Sequence, residues 1–277
     1  MAKKTSKTRK NTKPILKELP KPPHETKKSG FLDWNNNILV SSFKKIDLNI
    51  ISIIIMDSLF YFLSGYLILF WLQKIQAKMS AFNLPANIAS LGYERTQQLV
   101  SQAKSFYYLI IFSFVLVLVI IIFLASILKG IIWAKTTNTK ISFKLISKFL
   151  ALNLIWMGFW FVLVILISVL VEPASALTFM IISVILGLYF TNTLYTIFMK
   201  NPSLKSIFNA VKLNITKIHL FSLPYAVILL LLFIIVQLGK LLKFNYSAFL
   251  FGLIIVIYAA LARYYLSTLV SGIEKIN

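Results

Sequence analysis

FYYLIIFSFVLVLVIIIFLASIL, residues 106–128, is the stretch that decides the fold. It carries no charge over 23 residues. A helix of about 20 residues, rising about 1.5 Å each, crosses a hydrocarbon core of about 30 Å. Apolar and polar residues do not alternate along it, so it does not read as a barrel strand. A helix satisfies every backbone polar group within its own segment, as lipid requires.

Five further runs have the same character, at 48–72, 149–171, 176–198, 218–238 and 246–270. The chain is therefore expected to be an all-α polytopic bundle of six transmembrane helices. Hydrophobic residues make up 58% of the 277, and mean hydropathy is +0.82. A soluble domain of this size could not cover that much apolar surface. The first run is too long for the apolar core of a signal peptide and is expected to be a retained span.

Charge sets the expected orientation. Net charge is +21. Residues 1–45 hold twelve Lys/Arg. The second loop adds Lys129, Lys135, Lys140, Lys144 and Lys148; the fourth adds Lys200, Lys205, Lys212 and Lys217; the tail adds Lys275. The odd-numbered loops hold only six. The positive-inside rule then places both termini in the cytoplasm and the chain in the cytoplasmic membrane.

Residues 1–30 form a basic leader with Pro14, Pro20, Pro22 and Pro23 and few apolar residues, expected to be disordered, ahead of a membrane domain at 31–277. Two readings of the leader stand: a solvated orientation signal, and contact with anionic lipid headgroups. It has no aromatic residue for base stacking, which argues against nucleic acid. Beyond the lipid bilayer, a membrane protein partner is an open expectation.

Three stretches that enter the membrane from the basic side look alike: Ser42-Phe43-Lys44-Lys45, Ser142-Phe143-Lys144-Leu145 and Ser203-Leu204-Lys205-Ser206. In the third, Leu204, Ile207, Phe208, Val211 and Ile215 recur at helical spacing while Lys205, Asn209 and Lys212 fall elsewhere. Asn201 before Pro202 suits an N-cap followed by a first-turn proline. The pattern predicts three copies of one unit: interfacial helix, span, outer turn, return span. The outer turns differ: 172–175 is tight, 238–245 is short, and 73–105 is long, with helices expected to project beyond the membrane.

Asp57 and Arg263 are the deep carboxylate and guanidinium of the spans, at matching depth. A charge at mid-bilayer costs roughly 2.5 to 3.5 kcal/mol and calls for a partner. Arg263 shares a face with Gly252, Ala259 and Ser267, and Ser64 lies on the face of Asp57. Spans one and six are therefore expected to pack together through an Asp57–Arg263 ion pair. That pair reads either as a packing staple or as a substrate or proton site. Asn153, Thr191 and Asn192 lie in the same third, near Thr193, and could line a polar cavity or make ordinary interhelical hydrogen bonds. Pro224, early in span five, is expected to kink it.

Little else carries chemistry. There is no cysteine, which excludes disulfides and thiolate ligands. His24 and His219 have no ligand-spaced neighbours, so no metal site is expected. Ser64-Gly65 lacks a membrane histidine to activate the hydroxyl. With eight acids in all and no phosphate-binding motif, neither an enzyme nor a cofactor is expected. The reading is a non-enzymatic membrane component acting by lipid contact or partner binding, with a small transporter or permease subunit as the alternative.

The three-hairpin layout over residues 35–272, with its Ser-Phe-Lys and Asn-Pro-Ser-Leu-Lys-Ser-Ile stretches, resembles the six-helix membrane domain of some glycerophosphodiesterases and related prokaryotic membrane families. That resemblance implies a membrane module without a phosphodiesterase catalytic domain, and brings no catalytic residue to this chain.

Overall fold

The computed structural model describes residues 30–80, 92–241 and 246–275. The basic leader up to residue 29, His24, and the middle of the first outer connection, with Pro85, lie outside the described residues. Among the described residues the fold is all-α. The elements are α1 (Phe31–Lys44), α2 (Asn49–Ser80), α3 (Tyr93–Thr136), α4 (Phe143–Leu170), α5 (Pro173–Lys200), α6 (Lys205–Thr216), α7 (Ile218–Leu241) and α8 (Ser247–Glu274). All except α1 and α6 are long and apolar enough to cross a membrane. The chain is a multi-pass membrane protein.

The ends of these helices follow local chemistry. Asp47 accepts from the Asn49 N–H at 3.0 Å and starts α2. The Ser142 hydroxyl caps α4 by accepting from the Leu145 N–H at 3.2 Å. Pro173 occupies the first turn of α5, where its missing N–H costs nothing. Asn138, with φ 54°, turns the chain between α3 and α4 in the left-handed region that asparagine tolerates.

Several sequence expectations are corrected here. Ser42-Phe43-Lys44 closes α1, whereas Ser142 opens α4 directly and no separate interfacial helix precedes that span. The first turns of α4 already bury Leu145, Phe149 and Leu152, so the segment stays one continuous helix. Only Ser203-Leu204-Lys205 leads into a short amphipathic helix, α6. Asn201 ends α5 rather than capping α6, its N–H bonding to the Ile197 carbonyl at 3.0 Å. Apart from these corrections, Pro224 lies buried within α7, whose helix continues on both sides of it. The helices on either side of the first outer connection are long, as expected: α2 and α3, with 32 and 44 residues, extend for about 48 and 66 Å, well past a core of about 30 Å.

The last of the spans is the hub. α8 packs against α1, α2, α3, α5 and α7, while α3–α4 and α4–α5 close the opposite side. Spans one and six are in contact, as α2 and α8. The phase on α8 is one residue off expectation: Val256, Ala260, Arg263 and Ser267 are buried, Ala259 only partly so, and Gly252 is exposed.

Packing is concentrated at one end. The buried core draws on Trp34, Phe149, Leu152, Phe198, Phe221 and Leu269, all near the helix ends that adjoin α1 and α6. Toward the far end, α5 and its neighbours expose Leu177, Val184, Leu188, Phe112 and Leu230. We call these the basic end and the far end.

The α3–α4 contact depends on Gly130. A Cβ there would lie 2.9 Å from Ile146 Cδ1 and 3.1 Å from Phe149 Cδ1. A bulky side chain must displace a fully buried ring. Gly130→Leu is expected to destabilise the detergent-solubilised protein by about 1 to 3 kcal/mol. Gly158→Leu, at a site with open space around it, should melt with the parent. Thermal unfolding of the two variants side by side checks this, and equal melting temperatures would rule out the close approach.

Candidate functional site

Three spans bring charge together. Asp57 on α2 is fully buried, between Ile53 and Ser64 on the packed face. Its Oδ2 accepts from Arg263 Nη1 of α8 at 2.8 Å. Its Oδ1 accepts from Lys129 Nζ of α3 at 2.5 Å. The three groups lie about 10 to 16 Å along their helices from the basic end. One carboxylate therefore serves two cations, and the cluster has an excess of one positive charge.

Aromatic rings hold that excess. Lys129 Nζ lies 4.7 Å from the Phe60 ring centroid and 4.6 Å from that of Tyr61. Arg263 lies over Trp133, 5.7 Å from its centroid. A ring face attracts a cation most strongly where water is excluded. The two cations differ in burial: the side chain of Lys129 is 16% exposed and that of Arg263 9%. Ile53, Ile132, Ala260 and Tyr264 pack around the carboxylate layer. Toward the basic end, Lys135 Nζ donates to Ser52 Oγ at 2.8 Å, and Lys45 Nζ to Thr268 Oγ1 at 3.4 Å.

The other polar residues of interest make interhelical hydrogen bonds. Asn153 donates to Ser126 Oγ at 3.0 Å and accepts from Tyr195 OH at 2.6 Å, tying α3, α4 and α5. Thr191 accepts from Trp156 Nε1 at 2.8 Å. Asn192 reaches Tyr225 OH at 3.5 Å. Thr193 donates to Asn214 Oδ1 of α6 at 2.8 Å. These side chains form a ladder along α4, α5 and their neighbours, and Tyr195 of that ladder packs edge-on against Trp133, the ring under Arg263. Ser64 Oγ donates to the Phe60 carbonyl at 2.7 Å, a local helix bond. Among the described residues no three His, Asp or Glu side chains gather as a metal site would need.

Sequence reasoning brought Asp57 to Arg263 by depth and missed Lys129. The uncharged run stops at residue 128, so Lys129 reads as a loop charge. The signal was one step further on: Ile131, Ile132, Trp133 and Ala134 continue the apolar pattern past the lysine. Lys129 is an α3 residue inside the bundle, with about two helical turns after it.

Comparison with known proteins finds no matching family model, no matching curated protein and no matching solved structure.

The geometry makes Asp57 the shared node, which orders the cost of removing each member. Asp57→Asn leaves the buried Arg263 and the half-buried Lys129 without their counter-charge and is expected to cost about 3 to 5 kcal/mol. Lys129→Met leaves a neutral Asp57–Arg263 pair and should cost least. Arg263→Met falls between, because Lys129 is less well enclosed. Melting curves in one detergent measure the order; an Asp57→Asn protein as stable as the parent would exclude the shared node.

Proposed function

We propose that this chain is a non-enzymatic component of the cytoplasmic membrane, with both termini inside, working through lipid contact or partner binding along the far half of its spans. The observation that carries the reading is the uneven packing. Side chains interlock at the basic end, while the far halves of α3, α4, α5 and α7 leave long apolar faces uncovered by the chain itself. In a bilayer those faces must meet acyl chains or another apolar helix. The excess of Lys and Arg at the end bearing α1 and α6 supports the orientation.

The ion cluster fits this role as a staple. It fixes α2, α3 and α8 in register and leaves the far halves free to adapt. The transporter alternative draws on a separate observation, the one excess positive charge held within the spans, and it needs an aqueous path to that charge.

The absence of cysteine makes both readings testable with single introduced thiols. A photo-crosslinking side chain at Val184, which is 59% exposed, is expected to capture lipid or a second polypeptide in native membranes. One at the fully buried Leu194 should give only crosslinks within the chain. Capture confined to the chain at both positions would defeat the contact reading. Ser126→Cys, beside Asn153, reports on the alternative: rapid labelling by a charged, membrane-impermeant thiol reagent would favour transport, and protection would favour the staple.

A further inference from the structure

The basic end holds a polar cleft of about 640 Å³ where α5, α6 and α8 meet. Asn201 ends α5, Glu274 ends α8, and Asn209, Lys212, Thr216 and Lys217 come from α6 and its C-cap. Ile197 and Leu213 form an apolar floor. Glu274 is already paired with Lys200, and the Thr216 hydroxyl bonds to the Lys212 carbonyl. The ammonium groups of Lys212 and Lys217 and the carboxamides of Asn201 and Asn209 have no partner among the described residues. The cleft thus presents two uncompensated cations and two amides that can donate, with its one acid neutralised.

The surroundings add to the positive field. Lys200 and Lys275 lie near Lys45; burial first, then these two neighbours, hold Lys45 below the usual lysine range. No further carboxylate lines the cleft.

The helix α6 also says what kind of anion fits. Its surface divides into three stripes. Ser206, Ala210, Leu213 and Asn214 are buried against the bundle. Leu204, Phe208 and Ile215 are exposed apolar residues. Between them on the wheel run Lys205, Asn209, Lys212 and Thr216, a stripe of which the last three line the cleft. An amphipathic helix of this kind lies at the headgroup level with its apolar stripe toward acyl chains. A ligand in the cleft can therefore place an anionic group on the lysines and an apolar tail alongside Phe208 and Ile215. A free anion would leave that adjoining stripe unused.

We propose that the α5–α6–α8 cleft binds the phosphate group of an anionic phospholipid, with Lys212 and Lys217 as its charge partners and Asn201 and Asn209 as amide donors. The lysines supply point charges, and the amides supply direction. The proposal rests on the chain's being in a membrane, and not on what covers the far halves of the spans.

The test uses the full chain in nanodiscs of mixed phosphatidylglycerol and phosphatidylcholine, followed by native mass spectrometry on release. The parent should retain phosphatidylglycerol selectively. Lys212→Gln with Lys217→Gln should lower that retention roughly tenfold or more, since each basic group near the surface contributes strongly. Lys140→Gln with Lys144→Gln removes the same charge from the α3–α4 link and the first turn of α4 and should leave retention within about twofold, below the contribution of one such group. Equal loss in the two double variants would mean a diffuse basic surface and overturn the site. Equal retention of phosphatidylcholine by the parent would do the same. Lys212→Arg with Lys217→Arg, which keeps the charge, should keep retention, and Asn201→Leu with Asn209→Leu should lower it without changing net charge. Inorganic phosphate is the other source of the same chemistry. If millimolar phosphate displaces the lipid from the parent, the site is one for a free anion and the lipid assignment is wrong.

Discussion

A single carboxylate shared between two cations is the constraint on which the rest of the structure depends. Asp57 has no other oxygen-rich company, so its burial on α2 is tolerable only with Arg263 and Lys129 against it. Those partners come from α8 and α3, so satisfying one side chain fixes the relative rotation and height of three helices. The apolar packing then follows. Ile53, Ile132, Ala260 and Tyr264 meet because the charged layer holds their helices in register. Water could not have filled the same role inside lipid without a cavity to hold it.

α8 carries more of this than any other element. Along one side it meets α2 at Arg263; further on, Gly272 lets α1 approach, where an added Cβ would lie 3.3 Å from Ile38 Cδ1. Trp34 and Ile38 of α1 are almost wholly buried there, against Leu269 and Ile273. The short helix α1 is thus a plug on the end of the hub, while α6 seals the end of α5 through Tyr189 OH to the Asn214 carbonyl at 2.9 Å and Thr193 to its side chain. Two short helices close the basic end, and none of the described elements plays that part at the far end.

Much of this was legible. The six runs gave the spans, because a bilayer sets a length that apolar residues must fill. Asp57 and Arg263 were paired by depth alone, which works because an unpaired charge in lipid is so costly. Three things were hidden, each for a physical reason. Lys129 reads as a loop residue in the sequence because a helix can continue past the uncharged part of its span. The α8 face was assigned to Ala259 because neighbouring small residues, Ala259 and Ala260, differ by about 100° on the wheel, and spacing from Arg263 fits either. The threefold unit failed at α4 because a Ser-Phe-Lys stretch can cap a span as readily as it can form an interfacial helix, and burial of Leu145 and Phe149 decided between them. The cleft at α6 was half visible: the amphipathic pattern was clear, but the convergence of Asn201 and Glu274 on its polar stripe is a tertiary fact.

The two cations of the cluster are not equivalent, and the difference bears on what the far half can do. Arg263 is enclosed by Trp133 and by the hub itself, so its charge belongs to the packed end. Lys129 stands between Phe60 and Tyr61 on the α2–α3 seam, where Tyr61 also lines a mainly apolar groove of about 550 Å³ between α2 and α8. The ring that cages the lysine is therefore also a wall of a groove open toward the lipid. Movement of Tyr61 would change both at once: the enclosure of the excess charge and the shape of the groove. The packed end and the loosely packed far half thus meet at one side chain, Tyr61, which touches both the cluster and the groove.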